Sequence, residues 1–302
     1  MHSVEKLKTI SKNDRIPDNQ IIKEALTGSK QALEKLILRY QDWIFNLAIR
    51  MVNSPDDAKD VTQEIIIKII THLKKYDEQK ASFKTWLYRI VINHILNMKK
   101  RGLENTALNF DNYYERLDYI KDKEPDDKPE IQALIFDTMT NCIMATLICL
   151  NRQQRIVIIL GVIFGINSKI GAELLNISSV NFRKILSRSR AKLKNFMGTT
   201  CSLVNKKAKC KCHLKITDLI NLGYRNPGNL IYDKLKYNNL VKNIAVKRVE
   251  KFMNRYFYRF NDLFQSQPFW QAPNMLKWLD QTIKNRDFIE IFNLEDNQNL
   301  II

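Results

Sequence analysis

Three groups of side chains in this sequence have types and spacings that could do chemistry. The first is Cys201, Cys210, Cys212 and His213, a Cys-x8-Cys-x-Cys-His arrangement in a lysine-rich segment. Soft thiolates with an imidazole can hold a tetrahedral ion, zinc being the one that suits them, and nearby lysines would lower the thiol pKa. The Cys-x-Cys spacing is not that of a common zinc finger, so a redox thiol group and inert structural cysteines stay open beside the metal reading. The second group sets Tyr76, Phe83, Trp86 and Tyr88 around a polar loop, followed by Arg89, Asn93, Lys99, Lys100 and Arg101. An unstacked base needs a π-face and an edge partner, and this mixture offers both. Core packing accounts for Phe83 and Trp86 equally well. The third group is Asn181, Arg183, Lys184, Arg188 and Arg190. Asparagine and arginine suit bidentate contacts to base edges in the major groove. No catalytic triad, paired-carboxylate pocket or phosphate-binding glycine loop accompanies these groups, which points away from an enzyme.

Helices must position them. Glycine is scarce, 8 in 302 residues, and helical spacing recurs. Asp18 can cap a helix over 19–27 that Gly28 ends. Leu33, Leu36, Ile37, Tyr40, Ile44, Leu47 and Ala48 then repeat at threes and fours, predicting a long helix to about Val52. Ser54 can cap a third helix with Pro55 at its first position. A fourth runs from about Phe83 to Lys100, with Arg89, Asn93 and Asn97 on one face. From Gly102 to Glu130 the pattern lapses, and the charged, proline-broken run Asp122 to Pro129 is linker chemistry. Farther on, a short helix (168–175), the turn Asn176-Ile177-Ser178 and a longer basic helix from Ser179 form a helix-turn-helix pattern. Early residues of such a second helix meet base edges and later ones meet phosphates. The fold expected is all-α: two small helical domains, 1–104 and 131–199, joined by a flexible linker, 105–130. A cysteine-headed helical extension, 200–302, follows.

In that extension Val246, Val249, Met253, Tyr256, Phe257, Phe260 and Phe264 predict an amphipathic helix facing Lys247, Arg248, Lys251, Arg255 and Arg259. A bend at Pro268–Pro273 follows, and Leu276, Leu279 and Ile283 suggest a last helix. An aromatic stripe of this kind is expected to pack on the preceding domains and regulate them.

Charge narrows the partner. Lys and Arg number 49 against 32 Asp and Glu, a net +17. Self-repulsion of that size suits a polyanion partner, nucleic acid being the usual one. No acidic residue falls between Glu173 and Asp218, a span holding eleven lysines and arginines. That block reads as a phosphate-facing surface. No apolar run reaches the ~18 to 20 residues of a membrane span, and the start lacks the apolar stretch of a secretory signal, so a cytoplasmic protein with no membrane role is expected. Of the five cysteines, Cys142 and Cys149 sit in an apolar stretch and read as core thiols.

Three strings carry a resemblance: Ala32-Leu33-Glu34-Lys35-Leu36-Ile37-Leu38-Arg39-Tyr40, then Asp57-Ala58-Lys59-Asp60-Val61-Thr62-Gln63-Glu64-Ile65, then Phe83-Lys84-Thr85-Trp86-Leu87-Tyr88-Arg89-Ile90-Val91-Ile92-Asn93. In order and spacing they resemble the core domain of bacterial RNA polymerase sigma factors of the extracytoplasmic-function type. The stretch from about Leu150 to Phe196 is similar to the same family's promoter-upstream domain. The resemblance implies a protein that binds core RNA polymerase and promoter DNA, with room for a separate anti-sigma partner. It implies that Asp57, Asp60, Gln63 and Glu64 dock on the polymerase. It implies that the loop from Tyr76 and the helix after it hold a melted minus-ten element, with Asn93 near the flipped base and Lys99, Lys100 and Arg101 near backbone. The second domain would read a minus-thirty-five element. Two departures stand out: Ile170-Gly171-Ala172-Glu173 replaces the usual Glu-Ile-Ala-Glu, and Asn176 replaces the turn glycine. The rival reading is a stand-alone helix-turn-helix regulator, which would leave the acidic face of the third helix without a use.

Overall fold

The computed structural model describes residues 16–232, 235 and 260–282. Of the helix expected over Val246 to Phe264, the part before Phe260, which holds its basic face, lies outside the described residues, as does Ile283. Among those described the chain is helical, with one isolated β-bridge between Cys201 and Cys210.

The first unit is α1 (Asp18–Leu26), α2 (Lys30–Val52), α3 (Pro55–His72) and α4 (Phe83–Asn97). Serines start three of them: Ser29, Ser54 and Ser82 accept from the backbone N–H of Ala32, Asp57 and Thr85. Pro55 sits in the first turn of α3 as expected, and Asn53 ends α2 in the left-handed region at φ +55°. Asp18 behaves differently from its expected capping role. Pro17 is the N-cap, and the Asp18 carboxylate instead accepts from Arg39 at 2.6 Å and Tyr40 at 2.5 Å, tying α1 to α2. Phe45, Leu47, Ala48, Val61, Ile65, Val91 and Ile95 fill the core between the helices.

The segment taken as linker holds a helix of its own, α5 (Phe110–Tyr119). Asn109 and Asn112 form a reciprocal cap, and Tyr113 is buried with its hydroxyl donating to the Cys142 carbonyl at 3.2 Å. Phe110, Tyr113, Tyr114 and Leu117 have helical spacing, a signal masked by the charges around them. Beyond α5 the chain is extended and pinned: Lys121 N–H donates to Asp218 at 2.9 Å and Lys123 N–H to the Leu214 carbonyl at 2.7 Å.

The second unit is α6 (Pro129–Ile148), α7 (Arg152–Ile158), which continues into a π turn (Ile159–Ile163), α8 (Ser168–Leu175) and α9 (Ser179–Thr200). α6 is long and apolar enough by length and composition to cross a membrane, a test that the core helix of a folded domain also passes. It spends that apolar surface on core contacts: Leu134, Met144 and Leu147 are all but inaccessible. Then come α10 (Cys212–Asn221), α11 (Phe260–Gln265) and α12 (Met275–Thr282).

Candidate nucleic-acid interface

The aromatic group assembles where α3 ends and α4 begins. Tyr76 meets Phe83 edge-on at 5.2 Å and Trp86 at 5.6 Å, and Phe83 lies 5.4 Å from Trp86. Phe83 is buried, so its part is to support the half-buried rings of Tyr76 and Trp86. Tyr88 is also buried, stacked on Trp43 at 3.8 Å. The loop between keeps its shape through the Asp77 carboxylate, which accepts from the Gln79 N–H at 2.9 Å. That bond, with one from Lys80, holds Asp77 below the usual carboxylate range. On α4 the side chains of Arg89, Asn93 and Asn97 are all exposed, one turn apart, as their spacing predicts. Lys99 and Lys100 are exposed just beyond, and Arg101 is half-buried.

On α3, Asp60 is exposed, while Asp57, Gln63 and Glu64 are half-buried. Glu64 is already engaged: Arg101 donates to its Oε1, and His94 Nε2 lies 3.0 Å from its Oε2. Burial pushes the His94 imidazole below its ordinary value; Lys68 and Arg101 act the same way, against Glu64. One carboxylate therefore joins the acidic face of α3 to the basic end of α4.

α8 and α9 form the helix-turn-helix. Asn167 caps α8 and Ser178 caps α9, its hydroxyl accepting from Asn181 N–H at 3.1 Å. Asn176 takes the left-handed turn at φ +52°. The departure at Gly171 has a packing cause: a Cβ there would meet the Phe182 ring at 2.5 Å, and Phe182 is wholly buried. Asn181, Arg183, Lys184 and Arg188 are exposed along α9. Arg190 is half-buried, and its Nε has no hydrogen-bond partner among the described residues.

The cysteines come together differently from expectation. Among the described residues no group of three or more His, Cys, Asp or Glu is arranged to hold a metal ion. Cys201 and Cys210 face each other across the β-bridge, Cys212 hydrogen-bonds Cys210, and Cys142 of α6 lines the same small cavity, which His213 does not. The thiols respond to burial more than to the lysines. Burial pushes Cys201 up to about 11 and Cys142 to about 12, and the bond to Cys210 together with burial raises Cys212. Cys210 alone is lowered, by its bond from Cys212 and then by Lys215. Cys142 and Cys149 are half-buried, with Cys142 Sγ accepting from Tyr113 at 3.1 Å.

Sequence reasoning missed the residues that set the two units against each other. Arg152 grips Glu104 through Nε at 3.0 Å and Nη2 at 2.7 Å, and Arg155 reaches the same carboxylate at 2.8 Å. Arg152 also donates to the carbonyls of Met98 at 2.5 Å and Lys99 at 3.1 Å, which fixes the backbone that carries the basic run. Burial alone would raise Glu104, but the two guanidinium partners outweigh it and hold it low. The available signal was a pair of arginines three apart at a helix start, together with one acid after a basic run. Across the same seam Arg89 Nη2 lies 3.2 Å from Glu173 Oε1, so α4 faces α8.

Residues 36–102 match the family described as sigma-70 region 2. Over 131 residues the chain is 32% identical to the RNA polymerase sigma-H factor of Pseudomonas aeruginosa, covering 40% of this chain and 67% of that protein. It is 27% identical over 177 residues to the ECF RNA polymerase sigma factor SigE of Mycolicibacterium smegmatis, covering 57% of this chain and 65% of SigE. With the ECF RNA polymerase sigma-E factor of Haemophilus influenzae it shares 29% identity over 137 residues, 42% of this chain and 71% of the other. Among solved structures, CnrH in complex with the cytosolic domain of CnrY aligns with a TM-score of 0.41 and 22% identity, over 60% of this chain and 96% of that one.

Proposed function

The chain belongs to the sigma-70 family, of the extracytoplasmic-function type, and from that membership we propose that it binds core RNA polymerase in the cytoplasm and directs it to promoters, performing no catalysis of its own. The family match over residues 36–102 carries this reading, because that span holds α3, the aromatic loop and α4. The roles proposed within it are those the resemblance implies, and the chemistry of the residues supports them. Exposed Asp60, with Asp57, Gln63 and Glu64 on the same helix, offers an acidic face that has no use toward DNA and suits a protein partner. The half-buried rings of Tyr76 and Trp86 beside exposed Arg89 and Asn93 suit an unstacked base, whose extrusion costs a few kcal/mol recovered by stacking and edge contacts. Asn181, Arg183, Lys184 and Arg188 on α9 suit duplex DNA, with Arg190 set farther inside. The domain plan is correspondingly 1–104 for polymerase docking and minus-ten recognition, 131–199 for minus-thirty-five recognition, and 200–302 as an extension.

The test is promoter-dependent transcription in vitro with core polymerase, genomic fragments and this protein, beside Asp60→Ala. Discrete transcripts that require the protein and weaken in the variant are the expected result. Intact DNA binding by both proteins with no transcripts from either would favour the stand-alone regulator instead.

A further inference from the structure

A stretch of the extension is read by α2 as a ladder. Asp42, Asn46 and Arg50 stand at successive fours along that helix, so they share one face at steps of about 6 Å. Each meets an alternate residue of the bend. Arg50 Nη2 donates to the Pro268 carbonyl at 2.7 Å. Asn46 Nδ2 donates to the Trp270 carbonyl at 2.6 Å, and its Oδ1 accepts from the Trp270 N–H at 3.0 Å. Asp42 accepts from the Ala272 N–H at 2.8 Å. Two residues of extended chain advance about 6.6 Å, so the two spacings match over three rungs running antiparallel.

Side chains complete the seat. Trp270 is wholly buried, stacked on Tyr232 at 5.1 Å and lying 5.3 Å from the Arg50 guanidinium. On the other side Gln265 Nε2 donates to the Val162 carbonyl of the π turn at 3.1 Å, and Phe269 meets Phe164 at 6.5 Å. α12 lies along α2, with Lys30 bonded to Asp280. The segment thus touches both the unit that carries the candidate minus-ten surface and the unit that carries the helix-turn-helix.

This seat is built to be left as well as filled. Arg50 is buried beside carbonyls and rings, with no carboxylate among its bonds, and burial lowers its pKa to about 9. Removing the segment would give that charge to water rather than strand it. The Nε1 of Trp270, the Nε of Arg50 and the Oε1 of Gln267 are buried in the seam with no hydrogen-bond partner among the described residues, a cost that undocking relieves.

With the segment docked, Arg89 and Glu173 are 3.2 Å apart. Minus-ten and minus-thirty-five elements lie about 25 base pairs apart, roughly 85 Å of duplex at 3.4 Å per pair. The two candidate DNA surfaces cannot reach both elements while α4 and α8 touch. We infer that residues 260–282 are a tethered inhibitor: they occupy the Asp42–Asn46–Arg50 ladder and hold the two units closed, and their release is what permits promoter binding. The inference rests on the sigma-factor reading for its consequence, but its geometry is independent of it.

The experiment compares full-length protein with Trp270→Lys, which puts a second cation beside buried Arg50, Trp270→Phe, which keeps a ring, and Asp42→Ala, which removes one rung. Trp270→Lys is expected to raise transcript yield at limiting protein by about 5-fold or more, the low end of an ordinary coupling between sites. Asp42→Ala should raise it less, and Trp270→Phe should match the parent. Backbone hydrogen exchange of the free proteins is read alongside. Residues 83–97 and 168–175 should exchange faster in Trp270→Lys while the rest of α2 and α3 stays protected. Unchanged exchange across α4 and α8, or lower yield with a general loss of protection, would overturn the inhibitor and make the segment ordinary core. Faster exchange there with no transcripts from any of the four proteins would leave the clamp standing and sink the sigma-factor reading alone.

Discussion

Arg155 and Glu104 form an ion pair at 2.8 Å in which both side chains are almost wholly buried. Arg155 spends its other donors on the carbonyls of Met51, Leu147, Ile148 and Leu150. One guanidinium therefore closes the end of α6, holds α2 and neutralises an acid from the stretch between the two units. Buried pairs often return little net stability, yet breaking one from a single side is costly: Glu104 would stay buried with Arg152 as its remaining partner, and the carbonyls that Arg155 serves would lose their donor. Arg155→Met should lower unfolding stability by about 3 to 5 kcal/mol, measured by urea denaturation. Glu104→Gln/Arg155→Met should recover part of that loss, and a double variant no better than the single would show that the orphaned carbonyls, not Glu104, set the cost.

His94 links acidity to stability through the same kind of geometry. Its imidazole is held below its ordinary 6.5 chiefly by burial, with Lys68 and Arg101 adding to the effect and Glu64 opposing it. Between that lowered value and 6.5 the unfolded chain binds a proton that the folded one does not, so stability falls as pH drops through the window. Glu104 is held below 4.5 and stays out of it. Urea midpoints at pH 7.5 and 5.5 should therefore separate further for the parent than for His94→Gln. Equal separations would assign the acid limb to other groups.

How far these features could be read in advance depended on what kind of order they use. The spacing of Leu33 to Ala48, the Ser54-Pro55 start and the Asn176 turn are local, and each was legible because one residue's chemistry decides it. Arg89, Asn93 and Asn97 shared a face for the same reason. Glu104 and Arg152 are long-range partners, 48 residues apart, and nothing in either neighbourhood announces the other. The Asn46–Trp270 rung spans 224 residues, and an asparagine amid apolar positions of α2 looks unremarkable until its partner is seen. The cysteines misled by proximity in sequence: Cys142 joins the thiol cavity from α6, while the adjacent His213 does not.

Gly171 and Phe182 form a complementary pair. A methyl at residue 171 would fall 2.5 and 2.6 Å from two ring carbons of Phe182, inside any real contact. Alanine is the better helix former by about 1 kcal/mol, so an open site would gain from Gly171→Ala. Here overpacking of about 1 to 3 kcal/mol should win, giving a net loss that Gly171→Ala/Phe182→Leu substantially repairs. A stabilised single variant would mean that the ring moves aside freely and that the glycine has another cause.

The last prediction separates base reading from backbone contact on α9. Lys184 and Asn181 are both exposed on α9, but an ammonium is a point charge for phosphate whereas an amide suits the edge of adenine. Lys184→Ala should weaken binding to promoter and unrelated duplexes alike, and reduce the slope of log K against log salt by about 1. Asn181→Ala should leave that slope unchanged and lose about 1 to 3 kcal/mol of discrimination against a changed base pair. The measurements belong on the Trp270→Lys protein, in which the inhibitor inference has α8 and α9 released from α4. Equal salt slopes with and without Lys184 would move the phosphate contact to Arg183 or Arg188, and loss of slope in Asn181→Ala would deny that residue a base.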